Sequence, residues 1–394
     1  MRINKAVMDL RVIRGVFQRA ALCLICLCAL CGQSKAQDWQ TLKPGVEYAQ
    51  VTKEISGLKV NMNLLRLDLT KVRLDVVHAF DKAIGVDTPS NIAKTHRAFA
   101  AINAGFFRLD TSQWLGEDVG ALVVNHHLLS ESHEKRIALL INNHLRTTET
   151  IIGHLNLNCT IVVGKYDFPG RGINRQRGDY EMVAYTPAFG PSTLTSAGGL
   201  EVVVANRRVV SINNASGNSM IPRNGFVVSA GKGVGDMMLQ PAARLGAFSF
   251  LRIAYNELKS SQRGPILYNE RYEDVVSGVP QLIRNGKIDI TWQEEKVSKS
   301  FVETRHPRTA VAKLKDGKFL MITVDGRSES SGGIGLQDLA EYLLSLGAVD
   351  AMNLDGGGST TMWIDGKGVV NHPSDKEGER KVSDALLVTL RRPK

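Results

Sequence analysis

Apolar and polar residues alternate along much of the chain, in short runs separated by turn dipeptides. Alternation of this kind places every second side chain on the same face of a strand, so it predicts half-buried β-strands. Residues 64–76 follow this pattern, and residues 319–324 form a continuous apolar run that is typical of a buried strand. The dipeptides Asn-Gly at 285–286, Asp-Gly at 316–317 and Asp-Gly at 365–366 each lie between apolar runs, which predicts three β-hairpins.

Helical spacing is clearest between positions 336 and 346, where leucine and alanine residues form one apolar stripe followed by Gly347 as a suitable C′ residue. This helix separates the apolar run 319–324 from a second predicted strand at about 350–354. Strand–helix–strand units place their strands parallel in nearly all cases. The expected fold is therefore α+β, with β-rich mixed sheets, many hairpins, flanking helices and one C-terminal parallel strand–helix–strand crossover.

The first 36 residues have the pattern of a signal peptide. Basic residues precede the apolar run 20–30, which is too short to cross a bilayer as a helix, and residues 34–36 offer small side chains at both positions that a signal peptidase reads. We therefore expect cleavage near Ala36 and export to the periplasm or the extracellular space. The alternative is a lipoprotein modified at Cys28 or Cys31, although a leucine precedes each of them where a small residue is preferred.

Removal of residues 1–36 changes the charge and the cysteine content. The whole chain has 49 basic and 39 acidic residues and a formal net charge of +10, whereas the remainder has 43 and 38 and a net charge of +5. This modest charge gives no reason to expect a nucleic-acid partner. Four of the five cysteines also leave, so no intramolecular disulfide is expected, and Cys159 lies in an apolar run typical of a buried thiol. We divide the remainder into an N-terminal strand region, 37–94, and a catalytic domain, 95–391, and expect no stable transmembrane anchor.

The sequence Asp-Gly-Gly-Gly-Ser at 355–359 is the strongest candidate for a ligand-binding loop. Three consecutive glycines lose much backbone freedom on folding and fill no core, so they suit a close approach of the backbone to a ligand. Asp355 and Asp325 both follow strands of the predicted crossover, at the sheet edge where α/β proteins bind ligands. The strand axes would lie about 4.8 Å apart if adjacent, or about twice that with one strand between them. Either separation suits a glycosidase carboxylate pair or a shared metal site, for which calcium is the candidate ion.

A basic cluster precedes and accompanies these carboxylates. Arg305, His306 and Arg308 fall within four residues, and Arg327 follows the turn at Asp325. Guanidinium groups offer planar, bidentate donors for phosphate or carboxylate, and Pro307 restricts the backbone that carries them. We interpret the cluster as an anion-binding site.

Candidate sugar contacts lie in the segment 100–107. Asn103 can hydrogen-bond to sugar hydroxyls, and Phe106 can stack on a pyranose face. Core packing of the phenylalanines is the alternative.

The order of these motifs resembles that of the phosphodiester glycosidases, bacterial relatives of the mannose 6-phosphate uncovering enzyme, which removes N-acetylglucosamine from a sugar phosphodiester. The resemblance covers about residues 95–390 and departs from the family at Asp384, where an asparagine is common. The motifs are INAGFF at 102–107, RHPRTAV at 305–311, TVDGR at 323–327, NLDGGGSTTM at 353–362 and the closing segments 369–375 and 379–388.

The resemblance implies a secreted hydrolase that cleaves the glycosidic bond of an N-acetylglucosaminyl-phosphodiester-like substrate in a bacterial glycan or glycoconjugate. On this hypothesis, Asp325 and Asp355 act as base, nucleophile or charge stabiliser, and His306 protonates the leaving oxygen. The substrate-binding residues would be Asn103, Phe106, Arg305, Arg308, Arg327, Gly356, Gly357, Gly358 and Ser359, with glycine amides forming an anion-binding nest.

Three other functions would use the same residues. An exopolysaccharide glycosidase or lyase without a phosphate substrate would bind uronates through the arginines. A non-catalytic surface glycan-binding protein would hold a calcium ion between Asp325 and Asp355. A metal-dependent phosphodiesterase would attack phosphorus and not the anomeric carbon.

Overall fold

The computed structural model describes residues 37–133, 135–260 and 272–392, so the predicted signal peptide lies outside the described residues. Strands dominate these ranges. They are β1 (Gln40–Lys43), β2 (Val46–Ile55), β3 (Leu58–Leu67), β4 (Val72–His78), β5 (Ala100–Asn103), β6 (Leu122–Val124), β7 (His127–Ser130), β8 (Ile137–Asn143), β9 (Thr148–Val163), β10 (Tyr166–Ile173), β11 (Met182–Tyr185), β12 (Leu200–Ala205), β13 (Arg208–Asn214), β14 (Gly225–Ala230), β15 (Ser249–Ser260), β16 (Asp274–Ser277), β17 (Gln281–Arg284), β18 (Lys287–Ile288), β19 (Arg308–Leu314), β20 (Phe319–Val324), β21 (Ala348–Asn353), β22 (Met362–Ile364), β23 (Gly368–Val369) and β24 (Asp384–Leu390).

The helices are short. They are α1 (Pro89–Thr95), α2 (Lys232–Val234), α3 (Gln240–Ala242), α4 (Lys299–Glu303) and α5 (Leu336–Ser345), with a π-helical turn at Gly235–Leu239 and 3₁₀ turns at Ala79–Asp81 and Gly357–Ser359. In the part of the chain that the structure describes, no helix is both long and apolar enough to cross a membrane.

The strands form three sheets. The first has the order β1-β2-β3-β20-β19-β21-β17-β18, and the third has the order β23-β22-β5-β24-β4. The second has eleven strands, in the order β13-β12-β14-β11-β10-β9-β8-β16-β6-β7 with β15 also paired to β9. Most pairs are antiparallel, but β10 and β11 pair in parallel, so the second sheet is mixed. The fold is thus α+β and β-rich, with few helices.

All three predicted hairpins are confirmed. β17 and β18 are joined by the two residues Asn285 and Gly286, which have φ of 52° and 67°. A two-residue turn that matches the twist of its strands requires such positive φ values. β19 pairs with β20 around the Asp-Gly at 316–317, and β22 pairs with β23 around the Asp-Gly at 365–366. Local turn chemistry therefore determines these connections.

The first sheet shows why an apolar run can form one buried strand. Successive side chains point to opposite faces: Ala310 and Ala312 pack in the cluster that contains α5, whereas Val311 packs in a core shared with the other sheets. That shared core joins Leu65 of β3, Leu139 of β8 and Leu386 of β24, each 0% exposed.

Helix α5 covers the outer face of the first sheet. Its apolar stripe buries Leu336, Leu339 and Leu343 completely, and each such burial stabilises the fold by about 1.5–3 kcal/mol. The helix ends as its sequence predicts, since Leu346 caps it and Gly347 follows at φ 88°.

The strands β20 and β21 carry the two candidate carboxylates to one edge. Each pairs antiparallel with β19, so they run in the same direction with that strand between them. The N-terminal segment contributes to two sheets, because β3 pairs with β20 and β4 pairs with β24. Cys159 is 1% exposed, and burial raises the pKa of its thiol to about 12, as expected for an unreactive core residue.

Candidate active site

Asp355 is held from both sides of its backbone at the end of β21. Its N–H donates to the carbonyl of Ala104 (2.9 Å), and its carbonyl accepts from Nδ2 of Asn103 (2.7 Å). The carboxylate accepts the N–H of Gly356 at 2.9 Å. Removal from water raises the pKa of Asp355 to about 6, against the opposing effects of the Ser359 hydroxyl, the Gly356 amide and the positive charge of Arg380. A carboxyl group with this pKa can exchange protons near neutral pH.

Asn103 positions the backbone and does not face a sugar. Its side chain is 0% exposed, and its Oδ1 accepts from the Thr309 hydroxyl (2.7 Å) and from the N–H of Thr361 (3.1 Å). Together with the bond to Asp355, these contacts tie β5, β19 and the glycine loop to one another. The amide that was predicted to bind a sugar hydroxyl is thus engaged inside the protein, and the structure gives it a positioning role.

The glycine loop is tight because protein groups approach it closely. Gly357 has φ 61°, and a Cβ there would lie 3.1 Å from the guanidinium of Arg327. A Cβ on Gly356 would lie 2.8 Å from the Pro307 carbonyl, and one on Gly358 would overlap Arg380 and Asp375.

The amides of this loop are largely occupied. Gly356 donates to the Asp355 carboxylate, and Gly357 donates to the carbonyl of Pro307 at 2.9 Å. These two N–H groups are therefore engaged within the protein, whereas the predicted anion nest would need them for a ligand. The guanidinium groups beside the loop are the other candidate anion donors.

His306 and Arg327 lie side by side next to this loop. Nη2 of Arg327 is 3.4 Å from Nδ1 of His306. Because a guanidinium only donates, Nδ1 is the acceptor and the neutral ring carries its proton on Nε2. Burial, reinforced by the charges of Arg308 and Arg327, lowers the pKa of His306. The ring is thus neutral at pH 7, where it can donate a hydrogen bond but is a poor source of a proton.

Asp325 is also buried, at 5% exposed. Its Oδ1 accepts the N–H of His372 at 2.9 Å, which fastens the segment 371–372 to the end of β20. Burial raises the pKa of Asp325, opposed by the amide and charge of His372 and by the Asn371 side chain. This carboxyl group therefore holds the segment 371–372 in place as one wall of the site.

Two predicted phosphate ligands have structural contacts instead. Arg308 is 1% exposed and donates to the carbonyls of Phe301 (2.6 Å), Thr304 (2.9 Å) and Ile334 (3.4 Å), while burial lowers the pKa of its guanidinium to about 10. A phosphate ligand would have to displace these buried bonds, so the contacts give Arg308 a structural role.

Arg305 is similarly engaged. It pairs with Asp338 of α5 at 3.2 Å and donates to the carbonyls of Gly333 (2.7 Å) and Ile55 (3.2 Å). These contacts fix the start of α5 to the first sheet, so the structure gives Arg305 a role in the fold. Of the predicted arginines, Arg327 alone faces the glycine loop.

Phe106 is half-buried and takes part in a group of aromatic and cation–π contacts. Its ring centroid is 6.1 Å from that of Phe301, which in turn lies 4.8 Å from the Arg308 guanidinium. The guanidinium carbon of Arg136 is 5.9 Å from the Phe106 ring. The contacts of Phe106 are thus with a partly buried ring and a guanidinium, and its stacking on a sugar stays a prediction.

Arg380 and Asp375 belong to the site, although no role was predicted for them. Nε and Nη2 of Arg380 bind the Asp375 carboxylate at 2.7 and 3.1 Å, and the pair abuts Gly358. The charge of Arg380 also acts on Asp355. The closing segment 369–388 signalled these residues only through its family resemblance.

Possible metal ligands are few around this loop. Within residues 37–133, 135–260 and 272–392, no three histidine, cysteine or acidic side chains gather closely enough to hold a metal ion. Asp325 and Asp355 each already accept backbone N–H groups.

Comparison with known proteins decides the family. A family model described as "Phosphodiester glycosidase" matches residues 198–389. Residues 198–389 therefore belong to the phosphodiester glycosidase family. The matched range contains Asp325, Asp355, Arg327 and Arg380, whereas the contacts from β5 come from outside it.

Curated relatives match this chain over a limited segment. The N-acetylglucosamine-1-phosphodiester alpha-N-acetylglucosaminidase of Bos taurus is 39% identical over 113 residues, which are 26% of this chain and 21% of the bovine protein. An uncharacterized SPbeta prophage-derived protein of Bacillus subtilis is 42% identical over 88 residues, 22% of this chain and 13% of that one. The match thus spans about a fifth or less of these relatives.

Solved structures share the fold of this chain over most of its length. A hypothetical protein from Synechocystis has a TM-score of 0.74 and 24% identity, covering 91% of this chain and 64% of that one. A candidate exported protein from Burkholderia pseudomallei has a TM-score of 0.71 and 23% identity, covering 84% and 74%. At these identities the likeness shows the fold alone.

Proposed function

We propose that this chain is an exported hydrolase that cleaves the bond between an anomeric carbon and the phosphate oxygen of a sugar-1-phosphodiester, with an N-acetylglucosaminyl-like sugar. The observation that carries the proposal is the setting of Asp355. Its carboxyl group has a pKa of about 6 and lies beside a glycine loop that Arg327 and Arg380 flank. A carboxyl group that titrates near neutrality and cations for a phosphodiester anion are two requirements of this reaction.

The bovine relative supports the choice of substrate class. Its name describes an enzyme that acts on N-acetylglucosamine-1-phosphodiesters. Export is supported by the signal-peptide pattern of residues 1–36 and fits the description of the Burkholderia pseudomallei neighbour.

The basic side chains around the loop have different roles. Arg327 carries the phosphate, because its guanidinium lies over Gly357 and has no carboxylate partner among the described contacts. Arg380 is held by Asp375 and sets the local potential at Asp355. His306 donates from Nε2 to the bridging or a non-bridging oxygen as a neutral hydrogen-bond donor.

Asp355 then performs the proton or carbon chemistry. In the first route its carboxylate takes a proton from water while the water oxygen bonds to the anomeric carbon and the phosphate monoester leaves. In the second route the carboxylate bonds to that carbon first, and water later releases the sugar. A phosphate monoester is already a good leaving group, so a neutral His306 is sufficient at the leaving oxygen. Asp325 supports the wall that faces this carbon.

The decisive experiment incubates the mature protein with an α-N-acetylglucosaminyl-1-phosphodiester in ¹⁸O water, with and without a chelator. Label in the released sugar is expected, because water attacks carbon. Label in the phosphate would refute the glycosidase assignment and favour a phosphodiesterase. Turnover of uronate-containing exopolysaccharides, with none on phosphodiesters, would identify the alternative glycosidase or lyase. Sugar binding without turnover of either class would identify a glycan-binding protein.

A matched pair of variants ties the activity to the site. Asp355→Asn should abolish most turnover, whereas Asp365→Asn, in the exposed Asp-Gly hairpin between β22 and β23, should leave turnover unchanged. Equal activity of the two variants would remove Asp355 from the mechanism.

A further inference from the structure

A buried histidine lies behind the segment that holds Asp355. His78, at the end of β4, is 1% exposed, and in the part of the chain that the structure describes the polar partners of its ring nitrogens are all acceptor oxygens. Nδ1 is 3.2 Å from the carbonyl of Ala79, and Nε2 is 3.2 Å from the carbonyl of Gly116 and 3.3 Å from Oδ2 of Asp118. Carbonyl and carboxylate oxygens have no proton to donate, so both ring nitrogens must carry one. His78 is therefore an imidazolium in the protein interior.

Two buried carboxyl groups accompany this one cation. Asp384, at the start of β24, is 1% exposed, and the side chain of Asp118 is 4% exposed. Among the described residues, neither oxygen of Asp118 has a hydrogen-bond partner, although Oδ2 lies 3.3 Å from Nε2 of His78. Two carboxylates and one imidazolium would leave a net buried charge, which is costly. A proton on Asp384 removes that charge and provides a donor for Asp118.

The carboxyl group of Asp384 also holds the segment next to Asp355. Its Oδ1 accepts the N–H of Gly105 at 2.6 Å, and its carbonyl accepts the N–H of Ala104 at 3.3 Å. The carbonyl of Ala104 in turn accepts the N–H of Asp355 at 2.9 Å. A continuous set of bonds thus runs from the buried cluster to the backbone of the candidate catalytic residue.

We propose that His78, Asp118 and Asp384 form a charge-balanced positioning cluster, in which a proton held by Asp384 and shared with Asp118 keeps Gly105 and Ala104 in place under Asp355. The pKa values agree in direction. Burial and the neighbouring Asp118 raise the pKa of Asp384 well above its ordinary value, while Asp118 and Asp384 outweigh the effect of burial and raise the pKa of His78 to about 9.

Other polar groups around the cluster make the following contacts. The hydroxyl of Ser383, 3.2 Å from Oδ2 of Asp384, is neutral. Arg136 donates to the carbonyl of Val119, the residue after Asp118. Asp87, whose backbone pairs with Val382 beside β24, directs its carboxylate to Thr88 and Asn91.

The stability test needs no substrate. An Asp with a raised pKa in the folded state stabilises the protein fully below its unfolded pKa and loses that contribution as pH rises. Asp384→Asn replaces the shared proton with an amide N–H and keeps the acceptor for Gly105. The Tm of Asp384→Asn should match wild type near pH 4 and exceed it by at least about 3 °C at pH 8. A Tm difference that is constant with pH, or that becomes more negative at pH 8, would overturn the proposal.

Nuclear magnetic resonance tests the wild-type protein directly, which keeps the proposal open to refutation if the variant does not fold. With ¹⁵N-labelled histidine, both ring nitrogens of His78 should show protonated shifts at pH 8. An unprotonated nitrogen at that pH would overturn the charge balance.

The effect on activity rests on the proposed function, and it separates positioning from chemistry. Asp384→Asn should keep kcat within about threefold of wild type, whereas Asp384→Leu should lower kcat at least tenfold with little change in KM, because misplaced catalytic groups lose rate before binding. Equal kcat values for the two variants would refute positioning. If wild type turns over no substrate, the proposed function fails while the Tm and resonance results still decide the cluster.

Discussion

Asp355→Asn should make the protein more stable and less active at the same time. The carboxyl group of Asp355 has a pKa of about 6 in the folded protein against 3.8 ordinarily, a difference of about two units. One unit corresponds to about 1.4 kcal/mol, so ionised Asp355 destabilises the folded state by about 3 kcal/mol at pH 7.5. Asparagine carries no charge and keeps an oxygen for the N–H of Gly356.

The sign of the pH dependence follows from the raised pKa. The carboxyl group contributes no destabilisation below about pH 3.8, where it is protonated in both states, and its full destabilisation above about pH 6. The Tm of Asp355→Asn should therefore equal that of wild type near pH 3.5 and exceed it by on the order of 5 °C at pH 7.5. Thermal unfolding followed by circular dichroism between these pH values measures the difference, with Asp365→Asn as the control.

Activity should move in the opposite direction. Loss of an acid–base carboxyl group lowers kcat by about 10²-fold or more. If the ionised form of Asp355 is the active one, kcat/KM of wild type should rise with pH through about 6, and the variant should lack this rise. If Asp355→Asn has a lower Tm than wild type at pH 7.5, or turns over substrate normally, the reasoning is refuted. Both predictions rest on the raised pKa of Asp355, which destabilises the folded protein and suits the carboxyl group to proton transfer.

Three further predictions concern the residues around the loop. Arg308→Ala should lower Tm by several degrees, because it leaves buried carbonyl groups without a donor at a cost of about 1–3 kcal/mol each. The kcat/KM of the folded fraction should stay nearly unchanged, because Arg308 bonds to the protein and not to the ligand. Thermal unfolding with active-site titration checks both results. Arg327→Ala should raise KM for phosphodiesters at least tenfold with little change in Tm, measured beside Arg244→Ala, which removes an exposed arginine. Gly357→Ala should raise KM and cost about 1–2 kcal/mol of stability, whereas Gly286→Ala, at similar φ in an open hairpin, should cost stability alone; equal KM values would show that Arg327 is not displaced.

Features that depend on a few neighbouring residues could be predicted from the sequence. The hairpin at Asn285 follows from two positions that both require positive φ, and α5 follows from its stripe and Gly347. The placement of Asp325 and Asp355 at strand ends follows from the apolar runs before them, and the structure adds that β19 lies between those strands.

Side-chain roles could not be predicted in the same way, because a residue type states what a group can bind and not which partner reaches it. Arg308 and Asn103 have the chemistry of ligand-binding residues, yet buried carbonyls, a hydroxyl and an amide already occupy them. The glycines were correctly read as a place of close approach, but the approaching groups are Arg327, Arg380 and the Pro307 carbonyl. A donor that already makes a hydrogen bond inside the protein is not free to bind a ligand. Whether a polar side chain already has a partner in the protein therefore distinguishes a structural residue from a ligand-binding one.

The same reasoning explains why the cluster behind Asp355 has no signature in the sequence. His78, Asp118 and Asp384 come from three distant segments, and each alone is an ordinary polar residue near a turn or strand end. They come together only when the third sheet brings β4 beside β24, where one imidazolium lies among two buried carboxyl groups. An unbalanced buried charge is costly, and this cost is the reason for placing a proton on Asp384 in the proposed cluster. On that proposal, the backbone position of Asp355 depends on the charge balance of the cluster behind it.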